Sequence, residues 1–227
     1  MKKLTLQDIV ATMKKKGYIV YTQPFHLNIV GIRNSSPVNQ DRYDDLIAFF
    51  YYDDNGKLQG KICVGTTDPS TTYLKNPMGS GGAGILKGGQ YVDTYKIDYH
   101  KKKYEAICQR LKKVTVIRDN DRDGFTNFLN AEQSGFFGIN IHKSTASKSD
   151  KTLIGKDSAG CQVFQDNADF YEMMRLARIS GSRYGNKFTY TLIDERDTIR
   201  TRNTLGIILL VVGLAVYSSY TLYKKYK

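Results

Sequence analysis

GINIH (residues 138–142) and SAGC (residues 158–161) are the stretches on which the predicted fold and chemistry of this chain depend. The first alternates in the manner of a strand, which would hold the ring of His142 firmly. The second begins sixteen positions after His142 and ends in Cys161. A cysteine is a useful nucleophile only as the thiolate, and a nearby imidazole is the usual group that generates it. The spacing therefore predicts a nucleophilic pair, and the alternative is an inert buried thiol beside a hydrogen-bonded histidine.

A glycine stands directly before the sulfur. Gly160 allows the backbone to approach a substrate closely, because it carries no side chain. The N–H groups of Gly160 and Cys161 would then face the negative charge that develops on a carbonyl oxygen under attack.

The stretch 138–164 resembles the signature of YkuD-type L,D-transpeptidase catalytic domains, including divergent phage-borne versions. In that signature an Ile-x-His strand end is followed by a loop and then by Ser/Thr-His-Gly-Cys. The resemblance implies a mainly β fold with a few short helices, arranged as an L,D-transpeptidase-like β-sandwich. It also implies that Cys161 attacks peptidoglycan stem peptides, that His142 is its base and that Ser158 orients the imidazole. A weaker likeness at 63–71 extends the similarity to roughly residues 28–175.

Two departures from the signature concern the substrate. Ala159 replaces the second histidine, and Gln162-Val163 stand where the family has an apolar residue and then Arg or Asn. We therefore expect Ala159 and Gln162 to contact the substrate. His100 precedes three lysines and is a further candidate contact, although a histidine in such a setting is more often simply exposed.

Cysteine usage argues against cofactors. The three cysteines stand at positions 63, 108 and 161, an odd number that forms no disulfide framework. No Cys-x-x-Cys pair is present, so a zinc site built from thiolates is not expected. We predict neither a metal nor any other cofactor.

One acidic stretch leaves a second possibility open. Asp119, Asp121 and Asp123 occupy alternate positions before Gly124, which is how a calcium-binding loop begins. Position twelve of that loop is Asn130 where a bidentate Glu is expected, so a solvated acidic turn is the favoured interpretation.

The formal net charge of +12 calls for an anionic partner. No recognition-helix pattern or zinc finger accompanies the lysine clusters, so we expect no specific nucleic acid. Wall polymers and lipid headgroups are the remaining candidates.

The C-terminal part of the chain predicts a membrane anchor. Residues 204–223 carry no charge, and about 20 apolar residues match the roughly 30 Å hydrocarbon core of a bilayer. We therefore divide the chain into an N-terminal helix and lead-in strand (1–22), a catalytic domain (23–193), a linker (194–203), a transmembrane helix (204–223) and a basic tail (224–227). The flanking Lys and Arg residues mildly favour a domain that stays inside. A cell-wall substrate, however, lies outside the cytoplasmic membrane. The side of the membrane on which the domain lies is therefore left open.

Periodicity predicts the remaining elements. Helices are expected at 5–16, 103–111 and 167–180, and a hairpin is expected where two apolar runs flank Asp53-Asp54-Asn55-Gly56. Further strands are expected at 18–21, 27–32, 91–97, 114–117 and 187–193. The sequence thus predicts a membrane-anchored cysteine acyl transferase or peptidase. The alternative is a non-catalytic wall- or membrane-binding protein on the same fold.

Overall fold

The computed structural model describes residues 3–34, 41–145 and 152–199, in which most of the regular structure is β. Three helices accompany the strands: α1 (Leu6–Lys15), α2 (Thr71–Lys75) and α3 (Asn167–Tyr184). The strands are β1 (Asn28–Arg33), β2 (Asp45–Tyr52), β3 (Leu58–Thr66), β4 (Ala83–Leu86), β5 (Gly89–His100), β6 (Tyr104–Gln109), β7 (Val114–Asp119), β8 (Glu132–Gly135), β9 (Ile141–Lys143), β10 (Gln162–Phe164) and β11 (Phe188–Asp194).

Eight strands form a closed barrel in the order β1-β11-β5-β6-β9-β10-β3-β2. Two of its pairings, β1 with β11 and β9 with β10, are parallel, and the others are antiparallel. The strands β4, β7 and β8 form a separate three-stranded sheet. The predicted β-sandwich is therefore wrong. A sandwich keeps two sheets with free edges, whereas here the first and last strands pair and close the sheet.

The predicted helix at the N-terminus is confirmed as α1. Thr5 caps it, since its side chain accepts from the N–H of Asp8 while the Asp8 carboxylate accepts from the N–H of Thr5. The apolar face of α1, formed by Ile9, Val10 and Met13, packs with buried residues of β1, β2 and β11. Those strand residues are Val30, Ile32, Ala48, Phe50 and Ile193.

The predicted hairpin is also confirmed, between β2 and β3. Asp53 Oδ1 accepts hydrogen bonds from the N–H groups of Asn55 and Lys57, and Gly56 adopts a φ of +73°. This is the left-handed conformation that an Asn-Gly turn supplies.

The helix predicted at 167–180 is confirmed as α3, which runs on to Tyr184. Phe170, Met173 and Ala177 are buried in the main core beside the largest aromatic side chains of the barrel. Those aromatics are Phe49, Tyr95, Phe164 and Tyr190. Because α3 packs against β9 and β10, the core supports the two shortest barrel strands from behind.

Two local predictions were wrong. Residues 103–111 contain strand β6, whose run of buried residues at 106–109 lacks the alternation that marks a half-buried strand. Residues 18–21 do not form a strand. There the backbone N–H of Tyr21 donates to the side chain of Asn28.

The predicted transmembrane helix at 204–223 lies outside the described residues. Within residues 3–34, 41–145 and 152–199, no helix has the length and apolar character needed to cross a bilayer.

A buried polar network ties the start of the barrel to β4. Arg33 is 6% exposed, donates to the carbonyl oxygens of Thr67 (2.8 Å) and Leu86 (2.9 Å), and forms an ion pair with Asp68, whose Oδ1 lies 2.7 Å from its Nε. Asp45 accepts from the N–H and hydroxyl of Thr67 at 2.6 and 2.8 Å. Burial and the nearby Asp68 carboxylate raise the pKa of Asp45 to about 7. The guanidinium of Arg33 is thus the cation that compensates the buried Asp45 and the half-buried Asp68.

Replacing Arg33 with Met should lower the free energy of unfolding by roughly 3–5 kcal/mol, because the buried Asp45 and the half-buried Asp68 lose their cation. Urea denaturation measures the change. Arg178→Met is the matched control, since Arg178 pairs with Glu105 at the surface and its loss should cost under about 1 kcal/mol. Equal losses for the two variants would contradict the role given to Arg33.

Candidate active site

A cavity of about 410 Å³ is lined by residues of both the barrel and the three-stranded sheet. The barrel contributes His100 from the end of β5 and His142 from β9, and Cys161 directly precedes β10. The sheet contributes Gly84 from β4 and Arg118 from β7. This volume is typical of sites that take small molecules or short peptide segments.

The parallel pairing of β9 with β10 brings the predicted nucleophile and base together. Gln162 pairs with Ile141 and Val163 with His142, which places Cys161 beside Asn140. Side chains of a strand alternate between its two faces, so His142 and Cys161 share one face as diagonal neighbours. Both line the cavity. Within the part of the chain that the structure describes, no hydrogen bond joins the sulfur to the ring.

The hydrogen bonds of His142 fix which ring nitrogen carries the proton. Nδ1 lies 2.8 Å from the carbonyl oxygen of Lys143, which can only accept, so Nδ1 is the protonated nitrogen. In the neutral ring Nε2 then carries a free lone pair. Burial, reinforced by the neighbouring His100, lowers the pKa of His142 to about 3. The ring is therefore neutral at physiological pH and presents Nε2 as a base.

Cys161 rests as a thiol. Its S–H donates to the carbonyl oxygen of Gly138 at 3.4 Å, and its sulfur accepts from the N–H of Asn140 at 3.5 Å. Burial raises the pKa of the Cys161 thiol. With His142 neutral, the resting pair is uncharged, and it is not a preformed thiolate–imidazolium pair.

His100 lies in the cavity beside the base and is not exposed. Its ring stacks on that of His142 with centroids 4.2 Å apart, and its Nδ1 lies 3.0 Å from Nδ2 of Asn140. The backbone N–H of Gln109 donates to Oδ1 of Asn140, which turns the amide nitrogen towards His100. His100 therefore accepts at Nδ1 and carries its proton on Nε2. Burial lowers its pKa to about 4.

Gln109 is a positioning residue that the sequence interpretation missed. Its side-chain oxygen accepts from the N–H groups of Phe137, Gly138 and Ile139 at 3.0, 2.9 and 3.2 Å. Its side-chain nitrogen donates to the carbonyl oxygens of Lys112 and Gly135. Gln109 thus fixes the segment that leads into β9. The sequence feature that could have indicated this role is a polar residue at the end of the apolar run of β6.

Ser158 and Gly160 build the loop that presents the cysteine. The Ser158 hydroxyl donates to the carbonyl oxygen of Cys161 at 2.7 Å and accepts from the N–H of Gly160 at 3.1 Å. Ser158 therefore contacts the cysteine backbone and does not contact the imidazole. The N–H of Gly160, predicted to hold an oxyanion, is engaged by this hydroxyl. Of the two predicted oxyanion donors, the N–H of Cys161 is the one that this hydroxyl does not engage.

Gly160 cannot carry a side chain. Its φ is +123°, and an added Cβ would lie 2.2 Å from the carbonyl oxygen of Gly84. The loop of the nucleophile therefore packs directly on the backbone of β4, which closes one side of the cavity.

The two predicted substrate contacts next to the cysteine differ. Ala159 lines the cavity, as expected of a residue that meets a substrate. Gln162 faces the other way and is fully buried. Its Oε1 accepts from the hydroxyl of Tyr190 at 2.6 Å, and its Nε2 donates to the carbonyl oxygen of Gly160 at 3.2 Å. Gln162 braces the loop from the protein interior.

The acidic stretch after β7 forms a hydrogen-bonded turn. Asp119 accepts from the N–H of Asn127, Asp121 from that of Asp123, and Asp123 from that of Phe125. Among the described residues, no group of three or more His, Cys, Asp or Glu side chains is placed to hold a metal ion.

No protein-family model, curated protein or solved structure matches this chain. The resemblance to L,D-transpeptidases accordingly depends on the signature residues alone.

Alkylation of Cys161 by iodoacetamide should keep accelerating with pH beyond the ordinary thiol range of about 8.5. The reason is that a raised thiol pKa moves thiolate formation to higher pH. Peptide mass spectrometry over a pH series measures the rate, with Cys161→Ser as the blank. A rate plateau between about pH 5 and 8 would show a preformed ion pair and contradict the neutral resting state.

Replacing Gln109 with Met, a side chain of similar length, should lower the free energy of unfolding by about 3 kcal/mol. Three backbone N–H groups would lose their acceptor in a buried setting. Urea denaturation gives the value, and Gln23→Met at an exposed position should stay within about 0.5 kcal/mol of the parent. A Gln109→Met protein as stable as the parent would remove Gln109 from this role.

Proposed function

We propose that this protein is a cysteine-dependent acyl transferase or peptidase that acts on peptidoglycan stem peptides. The observation that carries the proposal is that Cys161 and His142 lie on the same face of the β9–β10 pair and line one cavity. The Nε2 atom of His142 has a free lone pair there, because Nδ1 carries the proton. The proposed substrate class comes from the resemblance of 138–164 to the L,D-transpeptidase signature.

The chemistry follows from the neutral resting pair. Nε2 of His142 takes the proton of the thiol while the sulfur bonds to the carbonyl carbon of the stem peptide. The C=O π electrons move to oxygen, to which the N–H of Cys161 would donate. Collapse of this tetrahedral species expels the amine, which takes the proton from the His142 imidazolium. A thioester to Cys161 remains.

The fate of the thioester sets the activity. An incoming amine that loses its proton to His142 yields a crosslink, and water attacking in the same way yields a cleaved stem. In both cases the thiolate leaves and is reprotonated, so His142 acts as base and then as acid in each half of the cycle.

The positive charge of the lysine clusters and the uncharged stretch 204–223 both support a location next to an anionic surface. In this proposal the stretch anchors the domain to a lipid bilayer. The neighbouring wall polymer is then within reach if the domain lies on the outer side.

A non-catalytic wall- or membrane-binding protein is the second candidate. The raised pKa of the Cys161 thiol favours it, because a nucleophile is usually found with a lowered pKa. The engagement of the Gly160 N–H by Ser158 favours it as well, because it removes one of two expected oxyanion donors.

The full chain in a neutral detergent should gain the mass of one carbapenem when it is incubated with that acyl donor, because the opened ring remains on Cys161 as a thioester. Intact-mass spectrometry detects the adduct. Cys161→Ser should give none, while Cys108→Ala, which removes a buried thiol away from the cavity, should keep it.

Purified muropeptides provide the second arm of this experiment. Turnover by the parent and its loss in Cys161→Ser support the enzyme. An adduct that persists on Cys161→Ser would assign the acylation to another residue. Binding of sacculi by both proteins without turnover by either would replace the enzyme with the binding protein.

A further inference from the structure

The cavity around Cys161 is lined by four basic side chains and, within the described residues, one acid. The basic residues are Lys101, Arg110, Arg118 and Lys156, and the acid is Asp157. Asp157 is 6% exposed, and its Oδ2 accepts from the hydroxyl of Tyr43 at 2.7 Å and from the N–H of Thr145 at 3.1 Å. These hydrogen bonds tie Oδ2 to Tyr43 and to the loop after β9, and the four basic side chains outnumber this single acid in the described lining.

Arg118 is held in this wall by neutral groups alone. Its Nε donates to the side-chain oxygen of Gln133 at 2.8 Å, and its Nη1 donates to the carbonyl oxygen of Gly82 at 3.2 Å. The guanidinium carbon lies 4.7 Å from the ring centroid of Phe137. Among the described residues, no carboxylate pairs with it. The guanidinium is therefore fixed in position without a carboxylate partner.

Other basic residues differ from Arg118 in this respect. Arg110, in the same wall, pairs with Asp98 at 3.1 Å. Outside the cavity, Lys87 pairs with Glu132 and Arg178 with Glu105. A general excess of positive charge explains exposed lysines, but it does not explain a guanidinium that is clamped by neutral acceptors.

Gly84 places Arg118 close to the nucleophile. A Cβ added to Gly84 would lie 3.5 Å from Nη1 of Arg118, and a Cβ added to Gly160 would lie 2.2 Å from the carbonyl oxygen of Gly84. The guanidinium and the loop of Cys161 thus both lie beside Gly84. An anion held by Arg118 would lie within a short substrate's length of the sulfur.

We propose that Arg118, assisted by Lys101 and Lys156, forms a carboxylate-binding subsite, so that the acyl donor of this cavity carries a carboxylate near its reacting carbonyl. A planar guanidinium binds a carboxylate through two parallel hydrogen bonds, and Nη2 of Arg118 remains to donate. The inference rests on the proposed function for the reacting carbonyl. In the signature, an Arg or Asn occupies the position of Val163, which lies in β10 here. In this proposal the substrate is recognised by Arg118 of β7 in its place.

Two alkylating agents of similar size test the subsite on the full chain, because iodoacetate carries a carboxylate and iodoacetamide does not. The measured quantity is the alkylation rate of Cys161 with iodoacetate divided by its rate with iodoacetamide, normalised to the same ratio in the urea-unfolded chain. This normalised ratio should fall about fivefold in Arg118→Gln at low ionic strength. Arg118→Lys should keep part of the preference, and added salt at about 1 M should reduce it.

Arg178→Gln is the matched control, since it removes the same charge outside the cavity lining and should leave the ratio unchanged. An equal fall in Arg178→Gln, or no fall in Arg118→Gln, would overturn the subsite while leaving Cys161 reactive. A Cys161 inert to both reagents would instead count against the proposed function.

A second measurement does not need the thiol. In a Cys161→Ser background, glutarate should raise the Tm more than glutaramide, because a ligand that binds the folded state stabilises it. Adding Arg118→Gln should abolish the difference. If glutarate and glutaramide act alike on the Cys161→Ser protein, the subsite is absent.

Discussion

The parallel pairing of β9 with β10 is the constraint on which the site depends. Each strand has only three residues, yet their register places His142 and Cys161 on one face of the barrel. Such short strands cannot fix their own positions. Gln109 holds the segment before β9 through three backbone N–H groups, Ser158 fixes the turn before β10, and α3 packs behind both strands.

Burial gives this site its electrostatic character. It lowers the pKa of His142 and raises that of the Cys161 thiol, so both groups rest uncharged. In the proposed reaction, charge appears only when a substrate carbonyl accepts the sulfur. Arg118 is a fixed cation in the cavity wall and lies beside Gly84, as does the loop of Cys161, which is consistent with the proposed anionic ligand. The stacked ring of His100 adds a second neutral imidazole, with its tautomer fixed by Asn140 and Gln109.

Local patterns predicted the elements that local forces form. The capping pair Thr5 and Asp8, the turn at Asp53–Gly56 and the apolar face of α3 all act within a few residues, and each is found where it was predicted. Strand β6 was mistaken for a helix because it is buried on both faces, which removes the alternation of a strand. The predicted sandwich failed because the pairing of β1 with β11 joins segments far apart in the chain, and no local pattern records it.

By itself, the sequence determined that the chain is mainly β, that His142 belongs to a strand, and that the molecule is strongly basic. These properties follow from residue type and short-range periodicity. Only the tertiary structure decided that the sheet closes into a barrel, that Gln162 faces inward while Ala159 lines the cavity, and that Arg118 and His100 join Cys161 there. The physical reason is that these relations are set by long-range strand register and by buried hydrogen bonds between distant segments, which depend on how the whole chain packs.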